Sequence, residues 1–184
     1  MAEVLTDDVL RESNARDPRL FELVYRSFAS QVLGYLAARG VEDPEALMQE
    51  VFLTVIPRIE GISGGVHGLR TFIFSVAHAR MVDDHRRQQR RPLQVAFDVE
   101  RDKREAASAE AVAMAGLIPA EVAQLMQVLL DDQREVLTLR IVAGLSVEQT
   151  AEIMGKSQGA VKQLQRRALE KLREQAAVKD YVTP

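Results

Sequence analysis

The stretch Gly144-Leu145-Ser146-Val147-Glu148-Gln149-Thr150-Ala151-Glu152-Ile153-Met154-Gly155-Lys156-Ser157-Gln158-Gly159-Ala160-Val161-Lys162 decides how this chain is read. Ser146 is placed to cap a short helix, and Gln149, three residues on, closes a capping box. Ala151 and Ile153 point that helix inward, and Gly155 breaks it. Ser157 offers a second N-cap, after which Val161, Leu164, Ala168 and Leu172 recur at helical spacing. Two capped helices across a tight turn make a helix-turn-helix pattern. In that motif the second helix enters the DNA major groove with its N-terminal side chains at base edges. Here those side chains are Ser157, Gln158, Lys162, Gln163 and Arg166, and Arg167, Lys171 and Arg173 extend the basic character. Gln bonds adenine in bidentate fashion, while Lys and Arg serve guanine or phosphate. The plainer alternative, for this segment alone, is a helical hairpin with a solvated charged face.

Outward from that motif, the composition favours an all-helical protein. The 184 residues include only six prolines and ten glycines, with few aromatics and much Ala, Leu, Glu, Arg and Gln. That length allows one sizeable domain or two small ones. A net charge of −3 argues against a general nucleic-acid coating protein but leaves room for a local basic patch, since DNA affinity follows local phosphate contacts. With no cysteine, disulfides, thiolate zinc sites and a cysteine nucleophile are excluded. The acidic N-terminus, Met1 to Asp8, is unlike a secretion signal, and no apolar run approaches a membrane span. The expected location is the cytoplasm, with no membrane insertion.

Residues 1–16 read as a short lead-in. Asp17-Pro18 then starts a long helix whose stripe is Leu20, Phe21, Val24, Phe28, Val32, Leu33 and Leu36, up to Gly40. Asp43-Pro44 repeats the grammar, with Leu47, Val51, Phe52, Val55 and Ile56 facing inward and Pro57 as the stop. Asp43, Glu45, Gln49 and Glu50 lie on the outer face of that second helix: solvated surface in the plain reading, a docking face for a basic partner helix in the sharper one. The run from Pro57 to Gly68 is rich in glycine but lacks the Lys and hydroxyl of a P-loop. A third helix is expected from about Arg70 to Arg90. Its second half gathers Arg80, Arg86, Arg87, Arg90 and Arg91, a density of guanidinium groups suited to phosphate, or simply a solvated helix end that complements the dipole. His78, Asp83, Asp84 and His85 raise the question of a metal, but no second element of matching spacing supports it.

From Pro92 the pattern weakens into a linker, and Pro119 opens a second body. Its first apolar face is Val122, Leu125, Met126, Leu129 and Leu130. Asp131 or Asp132 then caps a helix carrying Val136, Leu137, Leu139 and Ile141, which Gly144 ends.

In this order the parts resemble an extracytoplasmic-function (group IV) RNA polymerase sigma factor. Asp43-Pro44-Glu45-Ala46-Leu47-Met48-Gln49-Glu50-Val51-Phe52 is similar to the family's helix that docks on the polymerase clamp. Leu69-Arg70-Thr71-Phe72-Ile73-Phe74-Ser75-Val76-Ala77, running on to Val82-Asp83 and the arginines, resembles its helix for opening the −10 element. Gln133-Arg134-Glu135-Val136-Leu137 and the passage from Gly144 to Arg173 resemble domain four. The chain departs from the family at several points. Phe72 stands where Trp is frequent, His78-Ala79 where Arg-Asn is usual, Leu130 where proline is usual and Ala160 where Thr is usual. Gln163-Leu164-Gln165 replaces a frequent Ser-Arg-Leu.

The resemblance implies an all-α protein of two small domains joined by a flexible linker. The expected bounds are a lead-in at 1–16, sigma domain two at 17–91, a linker at 92–117, sigma domain four at 118–178 and a tail at 179–184. It implies a non-catalytic subunit that binds core RNA polymerase and promoter DNA, uses no cofactor and is commonly held by an anti-sigma protein. Asp43, Glu45, Gln49 and Glu50 are then the polymerase-binding residues. For −10 DNA they are Ser63, His67 and Leu69 around a flipped base, with Arg80, Arg86, Arg87 and Arg90 on phosphates. Ser157, Gln158, Lys162, Gln163, Arg166 and Arg167 would read the −35 element. Two other readings compete: a dimeric helix-turn-helix regulator acting without polymerase, and a metal-dependent phosphohydrolase using His78, Asp84 and His85.

Overall fold

The computed structural model describes residues 4–12, 17–90 and 126–182, with side chains to Gln175. The expected linker, Pro119, Val122, Leu125 and Arg91 lie outside the described residues. Among those described, the elements are helices and turns without strands. They are α1 (Asp7–Glu12), α2 (Pro18–Ala38), α3 (Pro44–Val55), a 3-10 turn (Ile56–Gly61), α4 (Gly65–Arg90), a short 3-10 turn (Met126–Val128), α5 (Asp131–Leu137), a π turn (Thr138–Val142), α6 (Val147–Met154) and α7 (Gln158–Val182).

Local chemistry explains most boundaries. Asp17 accepts from the Arg19 N–H and Asp43 from the Ala46 N–H, each followed by proline in the first helical turn. Ser146 accepts from Gln149 N while Gln149 Oε1 accepts from Ser146 N, the reciprocal capping box. Gly155 ends α6 at φ 61°, a left-handed conformation open to glycine without steric cost. Ser157 caps α7 through the Ala160 N–H.

Some boundaries differ from the sequence expectation. As expected, α3 ends ahead of Pro57, at Val55, but the chain continues as a 3-10 segment with Pro57 in its first turn. The helix expected from Arg70 starts at Gly65, because Asp7 of α1 accepts from the Val66 N–H at 2.7 Å and supplies the cap. Neither Asp131 nor Asp132 is the cap of α5. Both lie in its first turn, Leu130 is the N-cap residue, and Gln133 reaches back to the Leu130 N–H. Leu130 is therefore exposed rather than in the core, and Phe21 also faces outward, stacked on Tyr25. After Thr138 the helix widens to an i→i+5 bond, Ala143 N–H to Thr138 O. The wider turn directs Leu139 and Val142 inward and leaves Ile141 out.

The largest apolar cluster is built from Val24, Phe28, Val32 and Leu36 of α2, Val51, Phe52 and Val55 of α3, and Ile73, Phe74 and Ala77 of α4, all buried. Leu139, Ala143 and Leu145 of the second half enter the same cluster. A second cluster joins Ala37 and Ala38 of α2 to Met126, Leu129, Leu137, Val142 and Ala168. Val136, Ala151 and Val161 fix α5, α6 and α7 together. The two halves are thus packed against each other.

Candidate nucleic-acid interface

The first polar turns of α7 form an open face. Ser157, Gln158, Lys162, Gln163, Arg166 and Arg167 are all exposed, while Val161 and Ala168 on the opposite side are buried. Helical periodicity produces this division. Arg166 bonds Glu170 at 2.8 Å one turn along; among the described residues no side-chain bond engages Gln158, Lys162, Gln163 or Arg167. Arg140 braces the helix from behind, donating to the Leu145 carbonyl and reaching Gln165 at 3.4 Å.

The outer face of α3 is exposed at Asp43, Glu45, Gln49 and Glu50, and Leu53 continues it as an apolar patch. Asp43 spends one carboxylate oxygen on its cap. Arg80 of α4 turns toward this helix, bonding Thr54 at 3.0 Å and approaching Glu50 at 3.7 Å. Two groups assigned to different tasks, Arg80 and Glu50, are therefore joined.

Around the glycine-rich segment, Ser63 and His67 are exposed whereas Leu69 is a core residue, 1 % exposed. Leu69 contributes to the floor of a cavity of about 720 Å³ that α1 closes with Asp7, Leu10 and Arg11. A Cβ on Gly68 would stand 1.8 Å from the Ser63 carbonyl oxygen, so the tight return of chain onto helix requires glycine. Further along α4, Arg86, Arg87 and Arg90 are exposed, with Arg86 3.8 Å from Asp83.

His78 faces the second half. Its Nδ1 lies 3.0 Å from Glu135 Oε1 and 3.2 Å from the Tyr35 hydroxyl. Tyr35 donates to the same Glu135 oxygen at 2.6 Å. Arg39 Nε stands 2.6 Å from Glu135 Oε2, off the line of a hydrogen bond, so charge attraction holds that side. Burial alone would raise the carboxyl of Glu135, but the His78 hydrogen bond, the Arg39 charge and the Tyr35 hydroxyl outweigh it and hold it below the usual range. Burial first, then the Glu135 charge, pushes Tyr35 well up. A lowered carboxyl contributes stability above its unfolded pKa of about 4.3 and loses that contribution as pH falls through the folded value.

The ligand set weighed for a metal is otherwise engaged. His78 meets Glu135, Asp84 accepts from Gln88 at 2.9 Å, and among the described residues no three His, Asp or Glu groups converge as ligands. Asp7, Tyr35, Arg39 and Glu135 were not singled out by sequence reasoning. Tyr35 reads as one more residue near an apolar stripe. Glu135 does sit in a quoted motif, but nothing local tells which partner it meets.

Residues 20–91 match the family described as Sigma-70 region 2, and residues 125–174 match Sigma-70, region 4. The chain is 30% identical over 182 residues to the ECF RNA polymerase sigma factor SigD of Mycobacterium tuberculosis, covering 95% of this chain and 86% of that one. It is 30% identical over 168 residues to the ECF RNA polymerase sigma factor BldN of Streptomyces coelicolor, covering 90% and 63%. Its fold is similar to that of CnrH in complex with the cytosolic domain of CnrY, with a TM-score of 0.63, 18% identity and coverage of 96% and 98%.

Proposed function

The chain belongs to the extracytoplasmic-function sigma factors of the sigma-70 family and directs transcription initiation, and from that premise we propose which surface carries each part of the task. Domain four, at 118–178, reads the −35 element with Ser157, Gln158, Lys162, Gln163, Arg166 and Arg167. The observation that carries this assignment is the open, largely uncommitted polar face on the N-terminal turns of α7, placed behind a fixed helix-turn-helix core.

Domain two, at 17–91, docks on core RNA polymerase through Asp43, Glu45, Gln49 and Glu50, which remain exposed in the packed protein. It melts the −10 element by taking a non-template base at Ser63 and His67 over the buried Leu69, with Arg86, Arg87 and Arg90 on neighbouring phosphates. Extrusion costs unstacking energy that the pocket contacts recover. Arg80 serves the same strand once released from Glu50. Catalysis belongs to the polymerase, the working location is the cytoplasm, and an anti-sigma protein is a further partner. Consistent with that location, no helix among the described residues is long and apolar enough to cross a membrane.

Run-off transcription with core polymerase on a promoter library tests the reading. Discrete start sites that depend on the added chain are expected; their absence at every promoter sinks it.

A further inference from the structure

The Sigma-70 region 2 match begins at residue 20, so the short helix α1 lies ahead of it, and none of the assigned surfaces includes that helix. It is nevertheless fixed to the first half. Leu5 is buried in the main apolar cluster, and Val9 and Leu10 pack against the same cluster. The Thr6 hydroxyl accepts from the Val9 N–H at 3.3 Å and caps the helix.

One contact ties α1 to the glycine-rich segment. The first N–H groups of a helix have no partner within it. In α4 the Val66 N–H finds Asp7 Oδ1 at 2.7 Å, across 59 residues of sequence, and the carboxylate sits at the positive end of the helix dipole. The approach is close: a Cβ on Gly65 would stand 2.6 Å from Asp7 Cγ, so a side chain there would displace α1. Val66 lies between Ser63 and His67, the two exposed residues proposed to receive the flipped base, and the Gly68 N–H closes their turn on the Gly64 carbonyl at 3.0 Å. A shift of Val66 therefore carries the receiving turn with it.

The same helix completes a cavity. The space of about 720 Å³ beside this turn has Ile62, Gly64 and Leu69 on one side and Leu10 and Arg11 of α1 on the other. That volume is in the range of pockets that hold small organic ligands, and one nucleobase is a modest occupant. Without α1 its apolar floor would lie open to water. We propose that α1 belongs to the −10 reading site: it walls the pocket that takes the flipped base, and Asp7 is the positioning residue that holds the receiving turn in shape. The proposal rests on the assignment of base capture to Ser63 and His67. Extruding a base costs unstacking energy, and a turn already ordered by Asp7 leaves more of the contact energy to offset it.

The test uses the full chain with core polymerase and a promoter whose −10 non-template bases are removed one at a time, leaving the sugar-phosphate backbone. With the unmodified chain, one abasic position should lower run-off product more than its neighbours and so mark the captured base. Asp7→Ala should lower product from the intact promoter by about fivefold, the factor that accompanies loss of one helix cap. On the marked abasic promoter the same substitution should add little, because the pocket it disorders has no base to receive; the two losses are coupled. A role confined to stability lowers product from both promoters alike. Asp7→Asn keeps the oxygen that accepts from Val66 and should restore product to within about twofold of the unmodified chain. Losses that add across the two promoters overturn the proposal, as does full product from Asp7→Ala or an Asp7→Asn chain no better than Asp7→Ala. Where Asp7→Ala also weakens binding to core polymerase, Leu10→Ala, which trims the pocket wall and keeps the Asp7 bond, decides by the same pair of promoters. If no abasic position matters to the unmodified chain, the base-capture reading itself fails, and the proposal with it.

Discussion

Helices α4 and α7 are of similar length and both carry several basic residues, yet they use their polar side chains in opposite ways. On α4, Arg70 bonds Ala143 and Gln31, Thr71 meets Gln149, His78 meets Glu135 and Arg80 meets Thr54. On α7 the polar residues of the first turns face solvent, with Arg166 held only by its own helix. As far as Arg80 the first helix is a junction between elements, and only its end presents Arg86, Arg87 and Arg90 to solvent; the second is a presented surface from its first turn. Basic composition alone does not distinguish the two, because a guanidinium can stabilise a fold or wait for a phosphate with the same chemistry.

The comparison can be broken most forcefully from the core side of α4. Phe74 is fully buried, packed edge-on against Tyr35 at 5.7 Å between ring centroids. Phe74→Ala should cost about 3–5 kcal/mol in urea unfolding followed by circular dichroism. A loss below 1 kcal/mol would mean that α4 is not integral to the first half. On α7 the expectation reverses: Lys162→Ala or Arg166→Ala should weaken −35 use by about 1–3 kcal/mol where the contact is a bidentate base contact, with the melting curve unchanged. If promoter preference held while stability fell, α7 would be a structural helix like α4.

Much of this contrast was legible in the sequence. Asp17-Pro18, Asp43-Pro44, the Ser146–Gln149 box, Gly155 and Ser157 all act on neighbours within a few residues, so their effect is visible locally. Ser157→Ala sharpens that point. It removes the bond to Ala160 N and should cost about 1 kcal/mol, read as a lowered melting temperature of domain four. The start of α4 was not legible, because its cap comes from Asp7, 59 residues away. Nor was the inward course of Leu139, which depends on a π turn that the regular 3.6-residue period does not anticipate. The site followed the same division. The exposed row on α7 follows from periodicity, whereas the contacts of Arg80 with Thr54 and Glu50 of α3 do not follow from spacing along α4.

The smallest expected effect lies at Glu170. Both members of the Arg166–Glu170 pair are well exposed, so Glu170→Ala should change stability by less than about 0.5 kcal/mol. Tighter −35 binding is expected from the released Arg166, measured by competition with promoter DNA. Weaker binding would show that Glu170 orients the arginine rather than occupying it.

The sequence by itself determined most of the helices, the caps of α2, α3, α6 and α7, the helix-turn-helix and the division into two bodies, since these rest on short-range hydrogen bonding and on apolar spacing. Only the tertiary structure decided what Tyr35, Arg39, His78 and Glu135 do. Tyr35 and Glu135 are separated by 100 residues, and burial creates their interaction. A carboxylate in water has no reason to choose those three partners; enclosed between the two halves, with water removed, it depends on them.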